Sequence, residues 1–415
     1  MRKPSVLVVF LTVFIDLIGF GIVLPLLPIY ARNFHATGLI IGAIMASYSL
    51  MQFLFAPSWG RLSDRIGRRP VLLVSTAGAT VSYVLFAIGS GFSGALALWV
   101  LLASRVFAGI CGANITVAQA YIADITPPEQ RSKKMGLIGM AFGLGFIFGP
   151  ALGGFSFSKL GPQGPGWVAA GLCAANFILT LVILPESWKP TSEHVAARPR
   201  LAQWVHTLSH PKIGLLILVF FLATFCFSSF ETTLGLLVGQ NFHLDMQRDD
   251  DAKIISYLFA YCGIIGAVVQ GGAIGRMVKR SGEARLIANS LILVGISMAP
   301  LPFVQGRTFG AWALLLATLA ILSIGASLTR PPVFGLISNL TPAHEQGATI
   351  GVAQSAGSLA RIIAPIFAST LLFLHPSLPY LICSGVSLFT AVLVIQRLCR
   401  STQSLTSGQA PSPAQ

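Results

Sequence analysis

The chain alternates long apolar runs with short polar ones, and the apolar runs are too long for a soluble core. Twelve are read, at about 6–30, 39–59, 71–90, 95–122, 135–158, 165–185, 213–239, 253–274, 286–304, 310–337, 347–374 and 377–396. At ~1.5 Å rise per residue each can cross a hydrocarbon layer of ~30 Å, and no period-two alternation suggests a barrel instead. The first run follows Arg2-Lys3 like a signal peptide, but it is too long and lacks a small-residue cleavage site, so it is expected to remain as a helix. The pattern predicts an all-α membrane protein.

The second half of the pattern repeats the first. A gapless shift of 215 residues lays Asp16 on Glu231, Gly60-Arg61 on Gly275-Arg276, Arg65 on Arg280 and Gly67 on Gly282. The same shift lays Thr126-Pro127 on Thr341-Pro342, Gly136 on Gly351 and Pro150 on Pro365. One offset holding across both halves predicts two pseudo-symmetric six-helix bundles, with an acid deep in the apolar part of each. We assign 1–185 to the first bundle and 186–212, rich in Pro, Ser and charge, to a linker on the cytoplasmic side. Residues 213–397 form the second bundle and 398–415 a disordered tail.

Composition fits lipid as the solvent: 54% of residues are hydrophobic and 10% charged, against roughly 25% charged in soluble domains. The net charge of +14 changes meaning once it is located. Of 27 Lys and Arg, nineteen fall in segments on the side of the N-terminus. Arg32, Lys159, Arg248, Lys253 and Arg307 lie in the opposite loops, and Arg105, Arg330 and Arg361 within spans. This positive-inside bias puts both termini in the cytoplasm and argues against nucleic acid as a partner. The expected setting is the inner membrane, with the lipid bilayer and a small-molecule substrate as partners and a monomer as the working unit. The six cysteines lack metal or CxxC spacing and read as packing thiols. The acidic run Asp245 to Asp251 is either a solvated loop or a vestibule that attracts cations.

Gly60-Arg61-Leu62-Ser63-Asp64-Arg65-Ile66-Gly67-Arg68-Arg69-Pro70 joins the second and third spans. Its glycines permit tight turns, and Asp64 can accept hydrogen bonds from helix N-termini or arginines, so the segment can latch one conformation shut. Gly60, Asp64, Arg65, Gly67, Arg68 and Arg69 are therefore candidate gating residues. Asp124, at the inner end of the fourth span, either caps or pairs at the surface or joins that gate.

This segment resembles the signature loop of the major facilitator superfamily, and the likeness extends along the whole chain. Asp16-Leu17-Ile18-Gly19 with Pro25 and Pro28 is similar to the first helix of its drug/proton antiporter branch, and Arg105-Val106-Phe107-Ala108-Gly109 with Gly112-Ala113 to the fourth-helix motif. Gly143, Gly145, Gly149-Pro150 and Gly153-Gly154 resemble its antiporter motif. Within the branch, Tyr48-Ser49-Leu50-Met51-Gln52, Phe142-Gly143-Leu144-Gly145 and His344-Glu345-Gln346-Gly347 resemble tetracycline/proton antiporters. The resemblance implies the major facilitator fold, protons as coupling ion without further cofactor, and a proton-handling role for Arg105. Where those exporters carry further acids and a histidine, this chain has Ser82, Val294 and Gly266, which argues against tetracycline itself.

Asp16 lies about 13 residues beyond Lys3, roughly 20 Å along a helix. A charge at that depth costs at least ~2.5–3.5 kcal/mol, so the acid either couples protons to transport or anchors a structural hydrogen bond. Glu231 is its counterpart, placed nearer the outer face. Arg330 and Arg361 align with Ile115 and Phe146, and need a partner: an anionic substrate, Glu231, or helix C-termini. With Tyr48, Gln52 and Asn114 they are candidate cavity residues. All seven histidines fall in segments read as loops, leaving proton work to carboxylates. Small residues of the fifth span let helices approach closely, and Pro150 adds a bend usable in rocking. No P-loop, metal-spaced cluster or nucleophile-histidine grouping suggests an enzyme. The reading is a proton-coupled exporter of an amphipathic, drug-like compound; the alternative is a proton-coupled importer of a metabolite.

Overall fold

The computed structural model describes residues 6–23, 38–112, 114–188, 200–244 and 249–399, and among them the chain is helical without strands. Pro25, Pro28, Ala113, Asp245 to Arg248 and the tail lie outside the described residues. The first bundle holds α1 (Val6–Val23), α2 (Gly38–Ile66), α3 (Arg68–Ser90), α4 (Gly94–Cys111), α5 (Asn114–Ile125), α6 (Pro128–Leu160) and α7 (Gly164–Ile183). A short α8 (Arg200–Ser209) precedes the second bundle of α9 (Pro211–Asn241), α10 (Asp249–Val268), α11 (Ile274–Ser281), α12 (Glu283–Met298), α13 (Phe309–Leu340), α14 (Gln346–Leu374) and α15 (Leu378–Val394). Eleven stretches of described helix are long and apolar enough to cross a bilayer. The 29-residue α2 supplies the remaining expected span.

Three expectations need correction. The fourth span is broken between α4 and α5 at Gly112, and the Trp59 indole donates to the Ile110 carbonyl at 2.5 Å there, satisfying backbone that the break frees. The eighth span runs on through a π-helical turn at Val269–Ala273 into α11. The segment read as a linker contains a helix, and His206 lies in it rather than in a loop. That helix buries Gln203 and Thr207, sets Trp204 against Phe53 of α2 at 5.9 Å between ring centroids, and leaves Leu201, Val205 and Leu208 exposed.

Packing within each half uses small residues, since lipid supplies no hydrophobic drive between spans. Gly145, Gly149 and Gly153 of α6 lie against Leu17, Gly21 and Ile22 of α1, so added methyl groups would strike backbone. The antiporter-motif glycines thus bind two helices of one half; Gly154 faces open space and Pro150 is exposed. Gly143, two residues before Gly145 and so on the opposite face of the helix, meets Gly263 and Ala267 of α10 and joins the halves instead. Polar pairs finish the first bundle, with the Asn176 amide donating to the Thr12 carbonyl at 2.8 Å.

Candidate functional site

The two halves are latched at the end that carries the Gly60–Pro70 segment. That segment is mostly helix: α2 runs through Ile66, and Gly67 alone turns the chain, at φ +101°. Gly60, expected at a turn, sits inside α2, where a Cβ would overlap the Gly347 carbonyl of α14. Its missing side chain allows two backbones to touch across the halves.

Gly67 gives α3 no capping side chain, and the carboxylate of Glu186 takes that place, accepting from Arg68 N at 2.9 Å and Arg69 N at 3.1 Å. The N-terminus of α14 is likewise uncapped locally, and Asp64 caps it from the other half. Its Oδ1 accepts from Gly347 N at 2.9 Å and its Oδ2 from Ala348 N at 2.7 Å. Arg68 is fully buried and locks this carboxylate in place, donating to Asp64 at 2.5 Å, Asp124 at 2.9 Å and Ser63 at 2.8 Å. Asp124 therefore pairs inside the latch rather than capping a helix. Arg69 donates to the Leu181 carbonyl at 2.8 Å, while Arg65 is exposed.

The duplication extends to the latch. Across the 215-residue shift Asp64 corresponds to Lys279, Arg68 to Glu283 and Gly347 to Ser132, so the charges are exchanged. Ser132 of α6 hydrogen-bonds Glu283 at the start of α12, forming a second bridge between halves. Nearby, Arg131 donates to the Ser338 carbonyl at 2.9 Å and to Asn339 at 3.2 Å.

Above the latch, polar side chains form a belt across the interface. Arg361 of α14 donates to Gln52 at 3.1 Å and Ser358 at 3.0 Å, and Gln52 donates to the Tyr48 hydroxyl at 3.1 Å. Arg105 lies 5.7 Å from the ring centroids of both Tyr48 and Tyr83, and its three guanidinium nitrogens lack a hydrogen-bond partner among the described residues. Asp16 adjoins this group, with the Cys173 thiol 4.0 Å from its Oδ1 and the Asn114 side chain against it. Arg105 and Asp16 make no ion pair, and Arg105 meets the rings of Tyr48 and Tyr83 instead. Glu231 faces the belt from the second half, and Arg361 is the cation whose field reaches it. Both acids keep partial accessibility although each lies well inside its helix, Glu231 about 15 Å from the end of α9.

Among the described residues Arg330 pairs with neither Glu231 nor a helix C-terminus. It sits 4.8 Å from the Phe142 ring centroid, with Phe220 at 5.6 Å and Phe334 at 5.7 Å, and donates to Gln354 at 3.4 Å. Gln354 in turn donates to Gln119 of α5 at 2.7 Å, a further bond between the halves. Sequence reasoning missed Tyr83, Glu186, Gln119, Gln354 and the Ser132–Glu283 bridge. Only the last had a readable signal, since the shift that found Asp16 and Glu231 also maps the partners of Asp64.

Two bundles of bilayer-length helices, joined through a buried polar belt and hydrogen-bonded together at one end, have the build of a membrane transporter. The chain belongs to the Major Facilitator Superfamily, whose model matches residues 9–365 and 271–413. It is 33% identical over 369 residues to the class E tetracycline resistance protein of Escherichia coli, covering 87% of this chain and 86% of that one. To the quinolone resistance protein NorA of Staphylococcus aureus it is 28% identical over 397 residues, covering 95% and 96%. The solved human organic anion transporter MFSD10 superposes with a TM-score of 0.79 at 26% identity, covering 95% of this chain and all of that one. An outward-facing bacterial homologue of the iron transporter ferroportin gives 0.71 at 14% identity, covering 94% of this chain and 97% of that one, and shares the fold.

Proposed function

We propose that the protein exports an amphipathic, drug-like organic compound across the inner membrane in exchange for protons, as a monomer with both termini in the cytoplasm. The carrying observation is the pair of acids, Asp16 and Glu231, set inside long apolar helices, one in each half. With the latched end taken as cytoplasmic, this closed seam corresponds to a state in which the acids are reached from outside. Protonation there neutralises the acids and releases substrate; deprotonation after the halves exchange access favours loading from the cytoplasm. Each inward proton gains ~2.3 kcal/mol per 100 mV of membrane potential. The resistance proteins of Escherichia coli and Staphylococcus aureus support a drug-like cargo.

The test is Asp16→Asn in everted vesicles. The variant is expected to insert and fold but to lose proton-driven accumulation of substrate, and undiminished transport would remove Asp16 from the mechanism. Adding substrate to energised vesicles distinguishes export from the importer reading, because antiport and symport move protons in opposite directions.

A further inference from the structure

On the outer flank of the second half, at the latched end, a cavity of about 450 Å³ opens between the α11–α12 turn and the last turn of the twelfth span. Its lining includes Arg280, Ser281, Arg285, Asn289, Ile395 and Cys399. Neither arginine has an ion pair among the described residues, and both are exposed. Glu283, which stands between them in sequence, turns away to Ser132 of the other half. The duplicated counterpart of this turn holds Asp64, but here that position is Lys279, and among the described residues the lining of the cavity includes no carboxylate. The result is an open cationic recess with hydroxyl and amide groups at its edge.

The recess does not stand alone on a polar surface. From it, α12 and the antiparallel α15 run side by side toward the middle of the bundle, joined where the Ser384 hydroxyl donates to the Gly295 carbonyl at 2.7 Å. Their outward positions are apolar and exposed: Ile296 at 57%, Val392 at 48%, Phe389 at 62% and Ile395 at 40%. A cationic recess at the end of a span, continuous with a lipid-facing apolar strip, matches a molecule with a phosphate at one end and hydrocarbon at the other.

We propose that this recess binds the phosphate headgroup of an anionic membrane lipid, whose acyl chain lies along the Ile395–Val392–Phe389 strip. The guanidiniums of Arg280 and Arg285 hold the phosphate oxygens, and Asn289 and Ser281 supply neutral hydrogen bonds. The lining of the recess shares no residue with the polar belt, so the proposal does not depend on the identity of the cargo.

The experiment is native mass spectrometry of the purified full-length protein titrated with phosphatidylglycerol or phosphatidylcholine. The wild type is expected to retain phosphatidylglycerol in preference. The double variant Arg280→Gln, Arg285→Gln should weaken that retention by about fivefold per residue, roughly thirtyfold together. Arg276→Gln with Lys279→Gln removes the same charge outside the recess and should change it little. An equal loss in that control would mean diffuse surface electrostatics and would overturn the proposal. A second arm measures thermal stability in detergent with inorganic phosphate or glycerol phosphate; stabilisation by either as strong as by the lipid would assign the recess to a soluble anion instead.

Discussion

Replacing Asp64 by Asn should open the latch without unfolding the protein. Its bond with Arg68 lies within one half and survives in either state, whereas the bonds from Gly347 N and Ala348 N exist only while the halves are closed. Each is a hydrogen bond to a charged acceptor, contributing about 1.5–3 kcal/mol. Asparagine keeps one oxygen, able to accept a neutral bond of about 1 kcal/mol, and turns its NH₂ toward a second donor. The closed state therefore loses roughly 2–5 kcal/mol, a shift of about thirty- to several-thousandfold in its population relative to the open one. Nitroxides at the exposed positions Arg65 and Ala343, on opposite sides of the seam and in a cysteine-free background, report this as a distance distribution by pulsed electron spin resonance. The short distance should dominate in the wild type and give way to a longer one in Asp64→Asn. An unchanged distribution, with the variant folded, would refute the claim that this carboxylate holds the halves together.

Three further outcomes follow. Gly67→Ala places a Cβ at φ +101° against the Glu186 carboxylate that caps α3, and should cost about 1–3 kcal/mol, read as a lowered melting temperature in detergent. Ser132→Ala removes the second bridge and leaves Glu283 without that partner; the same spin-label pair should show a smaller shift than Asp64→Asn, because one hydrogen bond is lost rather than two. Glu231→Gln should lower the number of protons exchanged per substrate, measured by the dependence of steady-state accumulation on the imposed pH gradient; an unaltered ratio would confine coupling to the first half.

The bilayer-spanning pattern was readable because lipid imposes length and apolarity on every span, and the 215-residue shift was readable because duplicated positions keep the same chemistry. The family segment from Gly60 to Pro70 was likewise legible as a latch. What Gly60 does was not: turn and contact both call for glycine, and sequence does not separate them. Arg330 shows a second limit. Its partners, Phe142, Phe220 and Phe334, come from three different helices and are among 28 phenylalanines of similar context. Arg361 and Gln52 could be nominated for the cavity separately, but their bond crosses 309 positions and depends on how the halves meet.

The position of α8 has a mechanical consequence. It lies across the seam, with Trp204 on Phe53 of α2 and His206 3.9 Å from Glu345 at the entrance to α14, and it leads through Ser209 and His210 directly into α9. If the rims separate in the proposed cycle, a helix seated on both of them would have to leave one and return. The peptide bonds around Trp204 then become a built-in stroke counter, shielded from a protease on one beat and offered to it on the next.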